Sequence, residues 1–401
     1  MFQVVNKVAD KLKCPTAKID DKITLMAETL CSKVDGQYSM KCILRDCDRC
    51  GVAMLEQKLE PLKKELDEVE WNRWEIKKLE TKGKTTSSSV FTTKRGKMSD
   101  LITQILTESQ TFALHLFTAE WQHQQYTNLQ KNVPPKWIVT TQDFAENYRC
   151  VFADEITSAY YNYNQASLFT QFSVYHCPNP TCDKCVEESC VFITDDLKKD
   201  CYAIQTIQEQ YEEYLLNKGI NMLEHQVIFS DGAASQFKSK QPYYHLTTSG
   251  NFSKERSFFG SRHGKSVCDG LGGVIKQAAT LHVKSRRGII RTALELYEFS
   301  KKELTITYQC PDSHKSRVFF FVNTIKRPKK QPDLKAVPGT RAMHSVKAVE
   351  HGKVQVRRLS CFCLKCVSET ECSEHCSNAA YTGEFITHDL MKNRSVSPNC
   401  R

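Results

Sequence analysis

Three aspartates stand where predicted strands end or a predicted helix begins. Asp143 ends the apolar stretch WIVTTQDF, Asp231 ends HQVIFSDG, and Asp269 directly precedes GLGGVIKQAATLHVK. If these ends converge in a mixed sheet, the three carboxylates repel one another, and burying them unpaired is costly. Mg²⁺ or Mn²⁺ relieves that repulsion, because both ions prefer oxygen ligands and two of them about 3.5–4 Å apart can clamp a phosphodiester displacement. The pattern predicts a site for nucleotidyl transfer or hydrolysis, although Asp143 or Asp231 alone is more typical of a turn or helix cap.

Polar residues next to these aspartates are candidates for supporting roles. Glu146 follows Asp143 in the same motif and is either a second acid near the metal or a surface turn residue. His263 and Lys265 come shortly before Asp269. A lysine there could contact the scissile phosphate as a point charge, and a histidine could orient the phosphate or transfer a proton. The alternative for His263 is a structural role.

The cysteines gather in clusters with the short spacings that zinc sites use. The chain has 19 of them, and CxxC-type pairing in an intracellular setting indicates metal binding better than a disulfide framework. The candidate ligands are Cys42, Cys47 and Cys50 with Cys31 upstream; Cys177, Cys182, Cys185 and Cys190; and Cys361, Cys363, Cys366, Cys372 and Cys376 with His375. The alternative is free thiols, which is the interpretation we prefer for Cys150, Cys201, Cys268 and Cys310.

Positive charge is concentrated in one part of the chain. The formal net charge is +10, and residues 301–360 hold 14 Lys or Arg against 4 Asp or Glu. This excess indicates a nucleic-acid partner or, alternatively, a solvated basic linker. The run KRPKK is a predicted phosphate-binding segment or a nuclear import signal, and lysines after Asp231 are predicted to face the substrate backbone. The predicted DNA-binding residues are Lys238, Lys240, Lys326, Arg327, Lys329 and Lys330.

Composition excludes other classes of protein. Hydrophobic residues make up 40% and charged residues 25%, as in a globular protein with a core. No run of about 18 apolar residues occurs, and the first residues lack the apolar segment of a signal peptide. Membrane and secretory interpretations are therefore poor.

The residues just described must be positioned by elements in four predicted regions. Residues 1–52 form a cysteine-containing segment, and 53–135 form a helical, coiled-coil-like region, in which leucines from Leu55 onwards and Ile76 follow a 4-3-4-3 rhythm. Residues 136–304 form the catalytic domain with a cysteine insertion at 177–190, and 305–401 hold the basic segment and last cysteine cluster.

The third region alternates strands and helices. Strands are predicted at 137–144, 166–176, 189–196, 225–232 and 256–261, with helices at 200–218, after Asp269 and at 289–304. The first three strands suit an antiparallel meander, while the later ones need crossovers and hence parallel pairing. We predict an α/β fold with a mixed five-stranded sheet and flanking helices.

Four sequence strings resemble a known family. They are DFAENY (143–148), ITDDL (193–197), FSDGAASQFKSK (229–240) and SRHGKSVCDGLGGVIK (261–276). Together they resemble transposon-derived animal proteins among the RNase H-like DDE/DDD transposases, the superfamily that includes retroviral integrases. GTRAMHS (339–345) and LSCFCLKC (359–366) also fit, so the resemblance covers most of residues 100–380.

The resemblance implies an RNase H-like fold and assigns metal-ligand roles to Asp143 and Asp231. Asp269 is our choice for the third acid, with Glu295 and Glu298 as alternatives, because many relatives place a glutamate on the last helix. The expected activity is cutting and joining of phosphodiesters with two Mg²⁺ or Mn²⁺ ions. The expected partners are transposon-end and target DNA and further copies of the chain, in the nucleus, with structural zinc.

Two other classes of function stay open. One is a DNA- or chromatin-binding zinc protein that keeps the fold without catalysis. The other is a zinc-dependent scaffold in which residues 53–130 mediate assembly.

Overall fold

The structure is a computed structural model that describes residues 1–81, 84–150, 164–220, 222–248, 252–260, 267–329, 331–368, 376 and 378–392. It divides into two compact units, residues 1–117 and 118–401. Within the described residues, no helix combines the length and the apolar character needed to cross a membrane.

The first unit combines short helices with a two-stranded ribbon. Its helices are α1 (Phe2–Lys11), α2 (Lys22–Ala27), α3 (Met40–Ile43) and α4 (Val52–Leu59), followed by strands β1 (Val69–Thr81) and β2 (Lys84–Gly96). Helix α5 (Met98–Lys131) comes next, and the boundary between the units falls within it. Val5, Leu55, Leu59, Leu101 and Ile105 belong to the core of this unit.

The predicted coiled-coil-like helix through Ile76 is wrong. Strands β1 and β2 pair antiparallel from Val69 opposite Gly96 to Thr81 opposite Lys84. The segment VEWNRWEI fits a period of two as well as a helical rhythm, and its aromatic residues favour a strand after the 3₁₀ turn Glu60–Lys64, whose second residue is Pro61, has ended. Trp71 is buried on one face of the ribbon, while the Ile76 side chain is 71% exposed on the other.

The second unit is built on a large mixed sheet. Its strands are β3 (Trp137–Phe144), β4 (Tyr148–Arg149), β5 (Gln165–His176), β6 (Cys185–Thr194), β7 (His225–Ser230), β8 (Ser253–Phe258), β9 (Lys315–Phe321), β10 (Ser345–Glu350), β11 (Lys353–Arg357) and β12 (Ile386–Asp389). The order across the sheet is β12-β11-β10-β8-β7-β3-β5-β6-β9, with β4 paired to β5. Strands β8, β7 and β3 are parallel neighbours, as are β6 and β9, and the other pairs are antiparallel.

The α/β class with a large mixed sheet and flanking helices is confirmed, but the sheet is larger than the five strands predicted. The added strands β9 to β12 lie in the region interpreted as a basic segment. In SVKAVEHGKVQVR, charged or polar residues alternate with apolar ones as in half-buried strands, and KSRVFFF ends in a continuous apolar run.

Helices cover both faces of this sheet. They are α6 (Cys201–Asn217), α7 (Lys240–Thr248), α8 (Val267–Lys284) and α9 (Ala293–Leu304), with short helices α10 (Leu364–Ser368) and α11 (Ala379–Thr382) near the end. One core contains Phe192 and residues of α6, and the other contains the adjacent Val191 and residues of α8 and α9. Because neighbouring residues of a strand point to opposite faces, α6 packs on one side of the sheet and α8 and α9 on the other.

Candidate functional site

Asp143 and Asp231 lie at the same edge of the sheet. Strands β3 and β7 are parallel neighbours, with Thr141 opposite Phe229 as the last pair. Asp143 and Asp231 each lie two residues beyond that pair in the same direction. Parallel pairing therefore brings together two aspartates that are 88 positions apart in the chain.

Helix α8 begins against this edge and carries Asp269 in its first turn. The Thr170 hydroxyl lies 3.1 Å from the Asp143 carbonyl oxygen and 3.3 Å from that of Cys268, and the Cys268 thiol donates to the Thr141 carbonyl at 3.3 Å. A Cβ atom at Gly272 would stand 2.7 Å from the Ala145 Cβ, so glycine allows the helix to approach the end of β3. These contacts fix the start of α8 beside Asp143.

The three aspartates interact electrostatically. Burial, the charge of Asp231 and, to a smaller extent, the charge of Asp269 raise the pKa of the half-buried Asp143 to about 6. Asp231 keeps an exposed side chain, but desolvation by the surrounding protein still raises its pKa, against the Ala233 N–H and the charge of Arg256. The charges of Asp231 and Asp269 thus add to the effect of burial on the pKa of Asp143.

Two lysines near Asp143 were not found from the sequence. Lys199 donates from its Nζ to the Ala145 carbonyl at 2.7 Å, and its positive charge lowers the pKa of Asp143. Lys276 of α8 contributes to lowering the pKa of Lys199, so the two cations lie near each other. The sequence KKD gives no sign that Lys199 lies near Asp143, because this position depends on the tertiary path of the segment before α6.

Arg256 is a second residue that sequence reasoning missed. It lies in β8, is buried, and acts on the pKa of Asp231. The Gln142 side-chain oxygen accepts from both terminal nitrogens of Arg256, at 3.1 and 3.2 Å, in the amide orientation that satisfies both groups. A buried cation is thus held between β3 and β8, next to the aspartates.

The other predicted acids lie elsewhere. Glu146 is exposed and its carboxylate stands 3.6 Å from Lys276. Glu295 pairs with Arg291 at 2.8 Å, and this partner lowers the pKa of Glu295. Glu298 is exposed on α9. The predicted accessory residues His263 and Lys265 lie outside the described residues.

Two predicted DNA-binding residues have structural roles instead. Lys238 is buried, with its Nζ 3.3 Å from the Arg341 carbonyl and 4.9 Å from the centre of the Phe258 ring, and burial lowers its pKa to about 8. Arg327 pairs with Asp196 and with Asp200, the residue that caps α6. Lys238 is buried and Arg327 is paired with two aspartates, so both cations have partners within the chain in place of the predicted phosphate contacts.

The remaining predicted DNA-binding residues differ in their surroundings. The Lys240 amine donates to the Leu334 carbonyl at 3.1 Å from an exposed side chain. Lys326 and Lys329 are exposed, and Lys330 lies outside the described residues.

Among the described residues, three compact groups of side chains could bind zinc. In each group the four ligand atoms lie within 4.8 Å of one another. The groups are Cys31, Cys42, Cys47 and Cys50; Cys177, Cys182, Cys310 and His314; and Cys361, Cys363, Cys366 and Cys376. The first contains the predicted ligands of its cluster. The third uses four of the six candidates, and Cys372 and His375 lie outside the described residues.

The sulfur positions suit a tetrahedral ion. The Sγ–Sγ separations are 3.8 Å for Cys31–Cys47 and 3.4 to 3.8 Å among pairs of the C-terminal group. Two sulfurs bound at about 2.3 Å to one tetrahedral zinc stand about 3.8 Å apart. In the first group the Arg49 backbone N–H is the main cause that lowers the pKa of Cys47 to about 6, which favours the thiolate that zinc requires.

The middle group corrects the predicted ligand set. Cys185 and Cys190 lie along β6, where Cys185 pairs opposite His176 and Cys190 is fully buried beside Glu188. Their places are taken by Cys310, which was interpreted as a free thiol, and by His314.

Comparison with known proteins gives a family match. Residues 122–360 match the family model described as Domain of unknown function (DUF8701). Neither the curated proteins nor the solved structures contain a match to the chain. The matched range contains the three aspartates and the middle cysteine group.

Proposed function

The chain belongs to the DUF8701 family, whose function is unknown, and we propose that its matched domain is an RNase H-like polynucleotidyl transferase of the DDE/DDD transposase type. Asp143, Asp231 and Asp269 would hold divalent metal ions, Mg²⁺ or Mn²⁺, at the edge formed by β3, β7 and the start of α8. The substrate would be DNA, and the working location the nucleus.

One observation carries this proposal. Two aspartates end parallel neighbouring strands, and a third lies in the first turn of a facing helix. Burial is the main cause that raises the pKa of Asp143 to about 6, and the charges of Asp231 and Asp269 add to it. Such a cluster opposes stability unless a ligand compensates it, and clusters of this kind are concentrated at functional sites.

The sheet supports the proposal through its central five strands. Their order is β6-β5-β3-β7-β8, with an antiparallel meander of three strands followed by two parallel neighbours. This is the arrangement that the resemblance to RNase H-like transposases implies, with the aspartates on its first and fourth strands and on a later helix. Additional strands extend the sheet at both sides.

The residues at this edge would have separate roles. Metal ions bound there would activate the attacking oxygen and stabilise charge on the phosphate. Asp143 and Asp231 supply the carboxylates. Lys199 and Lys276 place positive charge beside them, which offsets the repulsion between an acidic edge and a DNA backbone.

Two assays on the full chain test the proposal. The first follows cleavage and joining of labelled DNA duplexes with Mg²⁺ or Mn²⁺, and the second measures Mn²⁺ binding by titration calorimetry. Asp143→Asn should reduce both, with at least about a hundredfold loss of rate, since metal ions supply several kcal/mol of transition-state stabilisation. Glu146→Gln, which changes an exposed carboxylate of the same motif, is the matched control and should keep both.

The Mn²⁺ measurement does not depend on knowing the DNA sequence recognised. Binding of Mn²⁺ that is unchanged in Asp143→Asn would contradict the proposal. DNA binding without Mn²⁺ binding at this edge would instead support the alternative, a DNA- or chromatin-binding zinc protein without catalysis.

A further inference from the structure

The end of the β5–β6 hairpin presents two thiols on one side of a tight turn. The Cys177 N–H donates to the Lys184 carbonyl at 2.9 Å, and the Cys182 N–H donates to the Asn179 carbonyl at 3.0 Å. The Asn179 side chain also accepts from the Thr181 N–H at 3.1 Å. Backbone hydrogen bonds thus fix the positions of both cysteines without any metal.

A second pair of ligand atoms reaches this turn from a distant part of the chain. Strand β9 pairs parallel to β6, with Lys315 opposite Glu187, and the Glu187 N–H donates to the His314 carbonyl at 2.8 Å. The segment that enters β9 therefore runs beside the hairpin end. It brings the His314 Nε2 atom to 3.1 Å from the Cys182 Sγ atom.

We propose that Cys177, Cys182, Cys310 and His314 form a zinc site that fastens strand β9 to the β5–β6 hairpin. The proposal is independent of the proposed catalytic function. Three thiolates and one imidazole are a set that structural zinc uses, and the four ligand atoms lie within 4.8 Å of one another. One ion would close this group, because zinc takes four ligands in a tetrahedron.

Neighbouring polar groups point at the sulfurs as outer-shell donors. The Tyr308 hydroxyl lies 2.7 Å from the Cys177 Sγ atom and is the donor when the cysteine is a thiolate. The Asn179 amide donates to the Cys310 Sγ atom at 3.4 Å. The Lys218 amine stands 5.8 Å from the centre of the Tyr308 ring, which helps to hold that ring in place. Such partners orient metal ligands and stabilise their charge.

The site has a structural consequence for β9. Among the described strands this one is the last in the sheet order on its side, so β6 is the strand that pairs with it along its length, and Ile306 adds an isolated bridge to Arg317. A zinc ion would add a link between the entry to β9 and a hairpin about 130 positions earlier in the chain. Loss of the ion should loosen residues 305–321 while β3, β5 and β7 stay protected.

Zinc content and cobalt spectra of the full chain test the ligand set. Cys310→Ser and His314→Ala should each contain one equivalent of zinc less than the wild type by elemental analysis. Cys185→Ser and Cys190→Ser, which change cysteines near the site in sequence but along β6, are the matched controls and should keep all of it. Hydrogen exchange should rise in residues 305–321 of the first two variants.

A conservative variant covers the case in which His314→Ala does not fold. His314→Cys should keep its metal and change the spectrum of the cobalt-substituted site from that of three sulfurs and one nitrogen to that of four sulfurs. Tyr308→Phe should weaken zinc binding about 10- to 100-fold with the same stoichiometry. The proposal is overturned if Cys310→Ser keeps all its zinc, if the His314→Cys spectrum equals that of the wild type, or if Cys185→Ser and Cys190→Ser lose an equivalent.

Discussion

The acidic edge (Asp143, Asp231 and Asp269) and the hairpin group (the middle cysteine group with His314) differ in how much of each could be predicted from the sequence. Each aspartate stands at the end of a local pattern, and strand ends are visible from residues close by. The cysteine group takes Cys177 and Cys182 from one turn but Cys310 and His314 from the entry to a strand that was not predicted. The spacing of residues in the sequence therefore predicts a site when each residue lies at the end of a recognisable strand or helix. It predicts the wrong residues when the site joins two remote segments.

The two regions also differ in what holds them. Hydrogen bonds through Thr170 and Cys268 fix the start of α8 beside Asp143, while the charges gathered there repel one another. At the hairpin, donors point towards the sulfurs. The acidic edge gathers groups that repel one another, which suits the proposed metal site, whereas the hairpin group has the donors that the proposed zinc link needs.

Replacement of Asp269, the third acid, has the largest expected effect, and its outcome tests whether the acidic edge consists of residues predicted from the sequence. Asp269→Asn should reduce DNA cleavage at least about a hundredfold, because Asp269 acts on Asp143 directly. Glu295→Gln should keep the activity, because Glu295 is paired with Arg291. Cleavage assays on both variants decide the matter. If Glu295→Gln alone is inactive, the acidic edge also depends on a remote residue.

Disruption of the N-terminal cysteine group should have the next largest effect. Cys47→Ser should lower the melting temperature of residues 1–117 by at least about 5 °C, since bound structural zinc contributes folding free energy. Cys14→Ser is the control, because the Cys14 thiol lies outside the group and donates to the Leu12 carbonyl. Calorimetry of both variants, with zinc content, measures the difference. Equal melting temperatures with full zinc in Cys47→Ser would remove this group from the metal sites.

The run KRPKK contains one cation with a structural role, Arg327, and exposed lysines such as Lys329, and substitutions distinguish the two kinds. Arg327→Ala should destabilise the second unit by about 1–3 kcal/mol, because two partly buried aspartates lose their partner. Denaturant unfolding measures this, and Lys329→Ala, an exposed neighbour, should be neutral. DNA-binding titrations should show the opposite ranking of the two variants. Lys329→Ala should flatten the salt dependence of DNA binding more than Arg327→Ala does, because the exposed Lys329 can contact phosphate. A stable Arg327→Ala protein with weakened DNA binding would restore the original assignment.

The pH dependence of stability gives the smallest expected effect. Asp143 holds its proton more tightly in the folded protein than in the unfolded chain, where its pKa is near 3.8. Stability therefore falls as the pH rises from about 4 to about 6, and the penalty is complete above that range. Without metal, Asp143→Asn should be more stable than the wild type at pH 7 by about 1 kcal/mol, after solvent screening of the half-exposed group.

This difference should shrink as the pH falls through 3.8 and vanish about one pH unit below that value, where the carboxyl is neutral in both states. Denaturant unfolding across the range measures it, and Glu146→Gln is the exposed control. A variant that is less stable than the wild type at pH 7 would show that the charge of Asp143 is compensated within the chain.

The central strands and the aspartates were predictable for a shared physical reason. Strands β3, β5 and β7 each carry a short run of β-branched, leucine or aromatic residues (WIV, LF and VIF) and are followed by polar or turn residues, although they also bury polar side chains such as Gln171. Strands β1 and β2 were missed because VEWNRWEI satisfies two periods at once, and the choice depends on its packing. Strands β9 to β11 were missed because the lysines and arginines in and between them resemble a basic linker, and β12 was missed because it has four residues, three of them polar.

Individual side chains were harder to predict than the elements that carry them. Lys238 and Arg327 sit in basic runs that resemble DNA-binding surfaces, yet the fold buries one and pairs the other with two aspartates. Cys310 has no cysteine close by in the sequence, so only the pairing of β6 with β9 reveals its partners. Charge and spacing identify the type of chemistry, and tertiary contacts decide which residues perform it.

A crystal structure of the full chain soaked with Mn²⁺, with anomalous data that distinguish manganese from zinc, tests the central claim most directly. We expect manganese bound to Asp143 and Asp231 at about 2.1–2.2 Å, with Asp269 as a further ligand, directly or through water. Manganese absent from this edge at saturating concentration, or bound there with Glu295 in place of Asp269, would contradict the account.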